Sequence, residues 1–354
     1  MAGVLLLLAP PRVALLVLGG DARPDELQRG QQGRTDTVLT VVADRSPAGV
    51  ALISIPRDLW VEIPGFGGER VNAAYALGGP QAAERVVSDV LGVRVDRYLF
   101  IGLQGVRDVV DATGGVEIDV ARPIHDDAYP TDDYGTIVVD IPAGRQRMDG
   151  ETALRYARTR HQDTDFGRIG RQQQLVVALR SALLQPGNWP RLPAVIGAVR
   201  RTTRTDLGPL EIATLGVALI GGPAQPDRLA VDLSLVDEFI GSDGAFLLRP
   251  KPALRQRVAA VLAPTNAAVE VLNGTRTEGR AQQAADRLRG RGMRIARLGN
   301  AAALQPATTV EVRPGLRRAG IYAATILDLP PVAVRESPDL PEGIDARIIL
   351  GDGP

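Results

Sequence analysis

Three short apolar runs follow one another near the start of the chain: RVALLVLGGD at 12–21, DTVLTVVAD at 36–44 and GVALISIPRD at 49–58. Runs of this length, rich in Val, Ile and Leu and closed by glycine or charge, read as buried strands. The short link between the second and third suits an antiparallel pairing. If all three pair this way, the end of the first, the start of the second and the end of the third share one sheet edge. Asp21, Asp36 and Arg57 then converge, with Arg34 two residues before Asp36. Two carboxylates beside an arginine suit Mg²⁺ with phosphate, because Mg²⁺ takes one or two carboxylates and completes its shell with phosphate oxygens and water. The plainer alternative makes Asp21 and Asp36 turn residues and Arg57-Asp58 a surface ion pair.

A second stretch raises a matching question. YARTRHQDTDFGRIGRQQQ at 156–174 concentrates arginine and glutamine, then continues as LVVALRSALL. Arginine presents a planar fork of donors that fits phosphate bidentately. On a helix Arg168, Arg171 and Gln172 share a face, and Leu175 and Leu179 extend it. The stripe is polar at its start and apolar further on, whereas a surface helix divides its characters around its circumference. Either this is a solvated helix start leading into ordinary core, or it is a site for a phosphate head group with an apolar tail.

Composition narrows the chemistry. The chain has 354 residues, with 41 Lys+Arg against 41 Asp+Glu and no net charge, so an anion site must be local and bulk nucleic-acid binding is disfavoured. No helix-turn-helix with a basic recognition helix is apparent. There is no cysteine, which removes thiolate nucleophiles, disulfides and thiolate zinc sites. His125 and His161 are the only histidines and are not at metal-ligand spacing. The opening MAGVLLLLAP is apolar but shorter than the roughly 20 residues of a spanning helix, and it lacks the basic start of a signal peptide.

Further along, the pattern predicts a helix over 80–91, a strand over 96–103, a helix closed by Gly114-Gly115 and a strand over 116–124. DDAYPTDDYG at 126–135 reads as a long acidic loop, solvated or offering a second cation or acceptor contact. A strand, a turn and a helix starting near Asp149 follow, and helices dominate to about 220. A composition shift near Pro264 opens a small α/β unit with strands at 267–272, 293–298, 308–312, near 332–335 and at 345–350, and helices at 277–290 and 316–328.

The motifs LVLGGDARP, GRTDTVLTVV, ISIPRDLWVEIPG, RVNAAYALGG, DATGGVEIDV and MDGETALRYARTRHQDTDFGRIGRQQQ resemble, in order, those of the LytR-CpsA-Psr family. Residues 267–350 are similar to the C-terminal module appended in many actinobacterial members. The resemblance implies an α/β (α+β) fold: a central mixed, largely antiparallel sheet flanked by helices enclosing an apolar lipid tunnel, with a small C-terminal α/β domain. It implies an anchor remnant at 1–11, a catalytic domain at 12–263 and the C-terminal domain at 265–354. It also implies transfer of a glycopolymer from a polyprenyl-pyrophosphate carrier to peptidoglycan, outside the cytoplasm, by a Mg²⁺-dependent phosphotransferase.

Carried over, Asp21 and Asp36 hold Mg²⁺, and Arg57, Arg158, Arg168 and Gln172 bind the pyrophosphate. Arg34, Arg160 and Arg171 assist, and Leu175 and Leu179 line the tunnel. Asp58 activates the acceptor hydroxyl or orients Arg57, and Asn72 also matches. Members begin with a cytoplasmic stretch and a full membrane helix, so the coding start is expected upstream of Met1. The same residues would serve a polyprenyl-pyrophosphate phosphatase or pyrophosphatase, and a non-catalytic polymer binder is the rival of another class.

Overall fold

The computed structural model describes residues 10, 12–22, 33–44, 49–131, 133–159, 165–221, 226–241, 244–263, 266–330 and 333–353. Of the expected anchor remnant at 1–11, all but Pro10 lies outside them, as does Arg160. The chain divides into two units, Met1–Pro226 with Ala230–Lys251, and Asp227–Leu229 with Pro252–Pro354.

The first unit begins with β1 (Arg12–Gly20), β2 (Thr35–Asp44) and β3 (Gly49–Ile55), then the hairpin of β4 (Trp60–Ile63) and β5 (Gly67–Arg70) and helix α1 (Ala74–Leu91). It continues through β6 (Arg97–Ile101), α2 (Leu103–Thr113), β7 (Val116–Val120), β8 (Ile124–Pro130), β9 (Thr136–Ile141) and β10 (Gly144–Met148). Helices α3 (Gly150–Arg158), α4 (Asp165–Leu184) and α5 (Leu192–Thr202), strand β11 (Thr203–Thr205) and helix α6 (Pro209–Gly221) follow.

The principal sheet has the order β11-β6-β1-β2-β3. β1 and β2 are antiparallel, as are β2 and β3, while β6 runs parallel to β1. The sheet is therefore mixed and largely antiparallel, and the sequence-predicted edge exists: Gly20 stands opposite Thr35, and Val38 opposite Ile55. Leu16 and Leu18 are fully buried, Val17 and Gly19 face the other way, and period-two alternation thus gives β1 two inward faces.

A second layer forms around α4. Leu175, Ala178 and Ala182 pack with Ile118, Val139, Met148 and Tyr156, while Val176 and Val177 pack toward Leu39 and Leu52 of the main sheet. A helix contacted on both sides is apolar around most of its circumference, which is why α4 lacks a clean amphipathic pattern.

Two expectations are corrected here. The acidic segment is not a loop throughout: 124–130 is strand β8, paired antiparallel with β9 (Asp126 opposite Val139, Tyr129 opposite Ile137), and the irregularity between Asp126 and Tyr129 hid the strand from period-two reading. The segment read as a single turn also contains β10, which pairs with β7.

The second unit contains β12 (Asp227–Ala230) in part, and β13 (Val236–Ile240) and β14 (Phe246–Pro250) close the first. Helix α7 (Pro252–Leu262) falls in the second unit: Arg257 pairs with Asp345 at 3.1 Å, and Arg318 donates to the carbonyls of Val261 and Leu262. Strands at Ala268–Asn273, Arg294–Asn300, Thr309–Val312, Val334–Glu336 and Ala346–Leu350 form its five-stranded sheet, with helices at Arg280–Arg289 and Arg317–Ile326. Glu270, 3% exposed on an interior strand of that sheet, bridges Arg297 at 3.1 Å and Arg347 at 2.6 Å.

Candidate functional site: a cavity with two ends

A cavity of about 990 Å³ lies between the main sheet and helices α2, α3 and α4. One end carries Asp21, Arg34, Asp36, Arg57, Arg158 and Arg168. The rest is lined by apolar side chains, among them Val17, Leu39, Leu99, Val106, Leu175 and Leu179.

The polar end is built by a break in register. Gly19 pairs with Thr37 and Gly20 with Thr35, so Asp36 is the extra residue of a bulge in β2. Alternation alone would send Asp36 and Thr37 to opposite faces; with the bulge both line the cavity. Close packing fixes the neighbouring turn. A side chain at Gly20 would come within 2.3 Å of the Phe100 ring. At Gly33, φ is +66° and a Cβ would stand 2.7 Å from Asp21 Oδ1, so only glycine fits beneath that carboxylate. The Asp21 amide donates to the Arg34 carbonyl at 3.1 Å, tying the two strand ends together.

Arg57 Nη1 donates to Asp36 Oδ1 at 2.8 Å. Asp58 lies behind it, 3.4 Å from Arg57 Nε and 3.5 Å from Arg70 Nε. It is not among the residues that line the cavity. Asn72 is also outside the lining. It is 3% exposed, its carbonyl accepts from Thr35 Oγ1 at 3.1 Å, and its amide donates to the Arg57 carbonyl at 3.3 Å. Asn72 thus stitches the backbone of Arg57 to the start of β2.

Helix α3 starts as expected: Asp149 caps it by accepting from the Thr152 amide at 2.8 Å, which holds the Asp149 carboxyl below its ordinary range. Its last turn delivers Arg158, whose guanidinium lies 5.5 Å from the centroid of the Tyr129 ring. Burial pushes the Tyr129 phenol up, against the opposing pull of Arg158, so the ring stays neutral beneath the cation.

Helix α4 separates the roles of its glutamines. Gln172 faces the cavity. Gln173 Nε2 donates to Ser54 Oγ of β3 at 2.9 Å. Gln174 accepts from the Tyr156 hydroxyl at 2.7 Å and donates to the Asp119 carbonyl at 2.8 Å. Arg168, Gln172, Leu175 and Leu179 form the anticipated stripe from polar to apolar along one face.

Arg171 departs from that stripe. It sits about 60° around the helix from Arg168, on the side away from Gln172. Its Nε donates to the Tyr156 carbonyl at 2.9 Å, and its Nη2 donates to the Thr159 carbonyl. It therefore secures the C-terminal end of α3, where a cation is favoured, and does not line the cavity.

Sequence reading missed Tyr129, Thr37 and Asp126. Asp126 is 3% exposed and lines the cavity from β8, although its neighbours looked like a solvated loop. No local signal distinguishes it from Asp127. Among the described residues no group of three or more Asp, Glu, His or Cys is placed to hold a metal. Asp21 and Asp36 as a pair still fit Mg²⁺ chemically, since that ion accepts two carboxylates when phosphate and water complete the octahedron.

A cavity with carboxylates and guanidinium groups at one end and an apolar remainder suits an amphiphile with an anionic head. Comparison with known proteins identifies the family. The model described as "LytR_cpsA_psr family" matches residues 10–229, and that described as "LytR cell envelope-related transcriptional attenuator" matches 266–353. The chain is 37% identical over 196 residues to "Probable cell wall biosynthesis protein LcpB" of Corynebacterium glutamicum, covering 54% of this chain and 45% of that protein. It is 30% identical over 253 residues to "Regulatory protein MsrR" of Staphylococcus aureus, covering 70% of this chain and 73% of that protein. Bacillus subtilis TagV superposes with a TM-score of 0.59 at 25% identity, over 71% of this chain and 95% of that one. This chain belongs to the LytR-CpsA-Psr family.

Proposed function

We propose that this protein transfers a glycopolymer from a polyprenyl-pyrophosphate carrier to peptidoglycan, leaving a phosphodiester link, at the extracytoplasmic face of a bacterial membrane. The observation that carries the reading is the single cavity with a charged end and an apolar end. A related protein of Enterococcus faecalis, 31% identical over 55% of this chain and 61% of its own length, bears the name "Polyisoprenyl-teichoic acid--peptidoglycan teichoic acid transferase TagU". A structural neighbour, 24% identical with a TM-score of 0.55, is described as "TagT bound to LIIa-WTA".

In this reading Arg57, Arg158, Arg168 and Gln172 hold the pyrophosphate, with Arg34 at the rim. An acceptor sugar hydroxyl attacks the glycan-bearing phosphorus in line. The new P–O bond forms as the bond to the lipid phosphate breaks, and the leaving phosphate keeps that electron pair. The hydroxyl proton passes to solvent. Arginine forks neutralise the charge that builds on the bridging and departing oxygens, so positioning and electrostatics supply most of the acceleration. Asp21 and Asp36 would hold Mg²⁺, which when bound supplies further charge neutralisation. The same apparatus with water as acceptor is a hydrolase. Incubation of a lipid-pyrophosphate-linked glycan with and without peptidoglycan separates the two. Glycan joined to peptidoglycan through phosphodiester supports transfer, and equal release of free glycan phosphate in both reactions overturns it.

A further inference from the structure

Helix α6 presents an apolar face that the cavity does not use. Ile212 is 56% exposed and Ile220 74% exposed, and between them nothing beyond its chain neighbours and the helix's own backbone lies within 4 Å of where a Cβ on Gly216 would stand. These three residues follow at i, i+4 and i+8, so they form one outward stripe. The helix carries one charged residue, Glu211, and Arg97 neutralises it at 2.7 Å. Its inward side is ordinary core, with Ala218 buried and Leu215 and Leu219 packed toward Leu39 and Leu52.

Two relationships say what this stripe faces. Thr214, buried in the middle of α6, donates to the carbonyl of Pro10 at 2.7 Å. The nine residues that precede Pro10, MAGVLLLLA, contain no charge, so the chain meets α6 where an uncharged apolar segment joins the fold. The second relationship is set by β1. Its nine residues at about 3.3 Å each separate its ends by roughly 26 Å. Asp21 and the charged end of the cavity lie just beyond Gly20, whereas Pro10 lies beyond the opposite end. Val176 of α4, which lines the cavity, belongs to the same cluster as Leu215 and Leu219. Val176 therefore stands between the cavity and α6, no residue of which lines the cavity itself.

We propose that the Ile212–Gly216–Ile220 face of α6 seats on the lipid bilayer, beside the apolar segment that ends at Pro10, so that a lipid tail passes between cavity and membrane along α6. The tail passage rests on the proposed transfer reaction; the seating itself does not. With no basic residue in the stripe, attachment depends on apolar burial and not on anionic headgroups.

The chain has no cysteine, so Ile220→Cys accepts a single environment-sensitive fluorophore. Phosphatidylcholine vesicles should shift its emission to the blue, equally at low and high salt. The same fluorophore at Phe66→Cys, on the hairpin after the head-group end of β3, should stay in water. No shift at position 220, or a probe already shielded without vesicles by residues 1–9 or by a second copy, overturns the proposal. As a second reading, Ile212→Glu/Ile220→Glu should lower turnover of a polyprenyl-pyrophosphate donor held in vesicles at least tenfold, and leave a soluble short-chain donor at wild-type rate. Equal turnover of the vesicle donor by variant and wild type also overturns it. If wild type turns over neither donor, the transfer reaction fails, and the fluorescence still decides the seating.

Discussion

Arg57 Nη1 donates to Asp36 Oδ1 at 2.8 Å, so a phosphate-binding candidate and a metal-binding candidate form one unit at the charged end of the cavity. Both side chains keep partial exposure, at 23% and 22%, and pairs of that kind add only about 0–1 kcal/mol to folding. Arg57→Ala is therefore expected to leave the melting temperature nearly unchanged and to lower transfer at least tenfold. Losing one preorganised donor to developing charge typically costs about 2.7–4 kcal/mol. Arg158→Ala and Arg168→Ala should lower transfer comparably, and wild-type rates in all three would remove the arginines from the reaction.

Chelation tests the carboxylates. EDTA should abolish transfer by wild type, and Mg²⁺ should restore it. Asp21→Asn and Asp36→Asn should lose both the activity and the response to Mg²⁺ while keeping part of their lipid affinity through tail contacts. Transfer that survives EDTA would make the two aspartates structural.

The bond from Gln173 to Ser54 joins α4 to β3 and is buried at both ends, each residue being 3% exposed. Gln173→Leu removes the partner of the buried serine hydroxyl and Ser54→Ala removes an acceptor of the buried amide, so each should cost about 1–3 kcal/mol in chemical denaturation. The double variant should recover a coupling of about 0.5–1.5 kcal/mol. Strict additivity would show that the bond does not hold the helix to the sheet.

Leu179 both lines the cavity and packs against the cluster around Ile118 and Met148. Apolar burial gives roughly 25 cal/mol per Å². Leu179→Gln should therefore weaken binding of long prenyl pyrophosphates much more than short ones. Affinity across a series of chain lengths, measured beside melting temperature, checks this. A uniform loss that follows destabilisation would make Leu179 core only.

Glu84 on α1 is held up at about 7, first by burial and then by Asp206 and Asp96, with Arg97 pulling the other way. A carboxyl raised in the folded state favours folding while it is protonated. That contribution is complete below the unfolded value near 4.5 and is lost as pH rises through about 7. Glu84→Gln should flatten the dependence of melting temperature on pH across that window and exceed wild type at pH above it. Identical profiles would show that Glu84 ionises normally.

The sequence by itself determined the antiparallel order of β1, β2 and β3, because three successive apolar runs, the last two joined by a short link, leave little else to pair. It thereby brought Asp21, Asp36 and Arg57 to one edge. It also determined the polar-to-apolar stripe of Arg168, Gln172, Leu175 and Leu179, which follows from helical period alone, and the strand–helix pattern of the C-terminal unit. Tertiary structure decided the rest. The bulge that turns Asp36 inward depends on two glycines meeting Thr37 and the Phe100 ring, neither of which is near in sequence. Arg171 looked equivalent to Arg168, but its position around the helix points it at open carbonyls of α3. Asp126 reads as one of several acidic loop residues until β8 pairs with β9 and buries it. Periodicity reports which face a residue occupies; what lies against that face is fixed by long-range packing, and packing chose which charges reach the cavity.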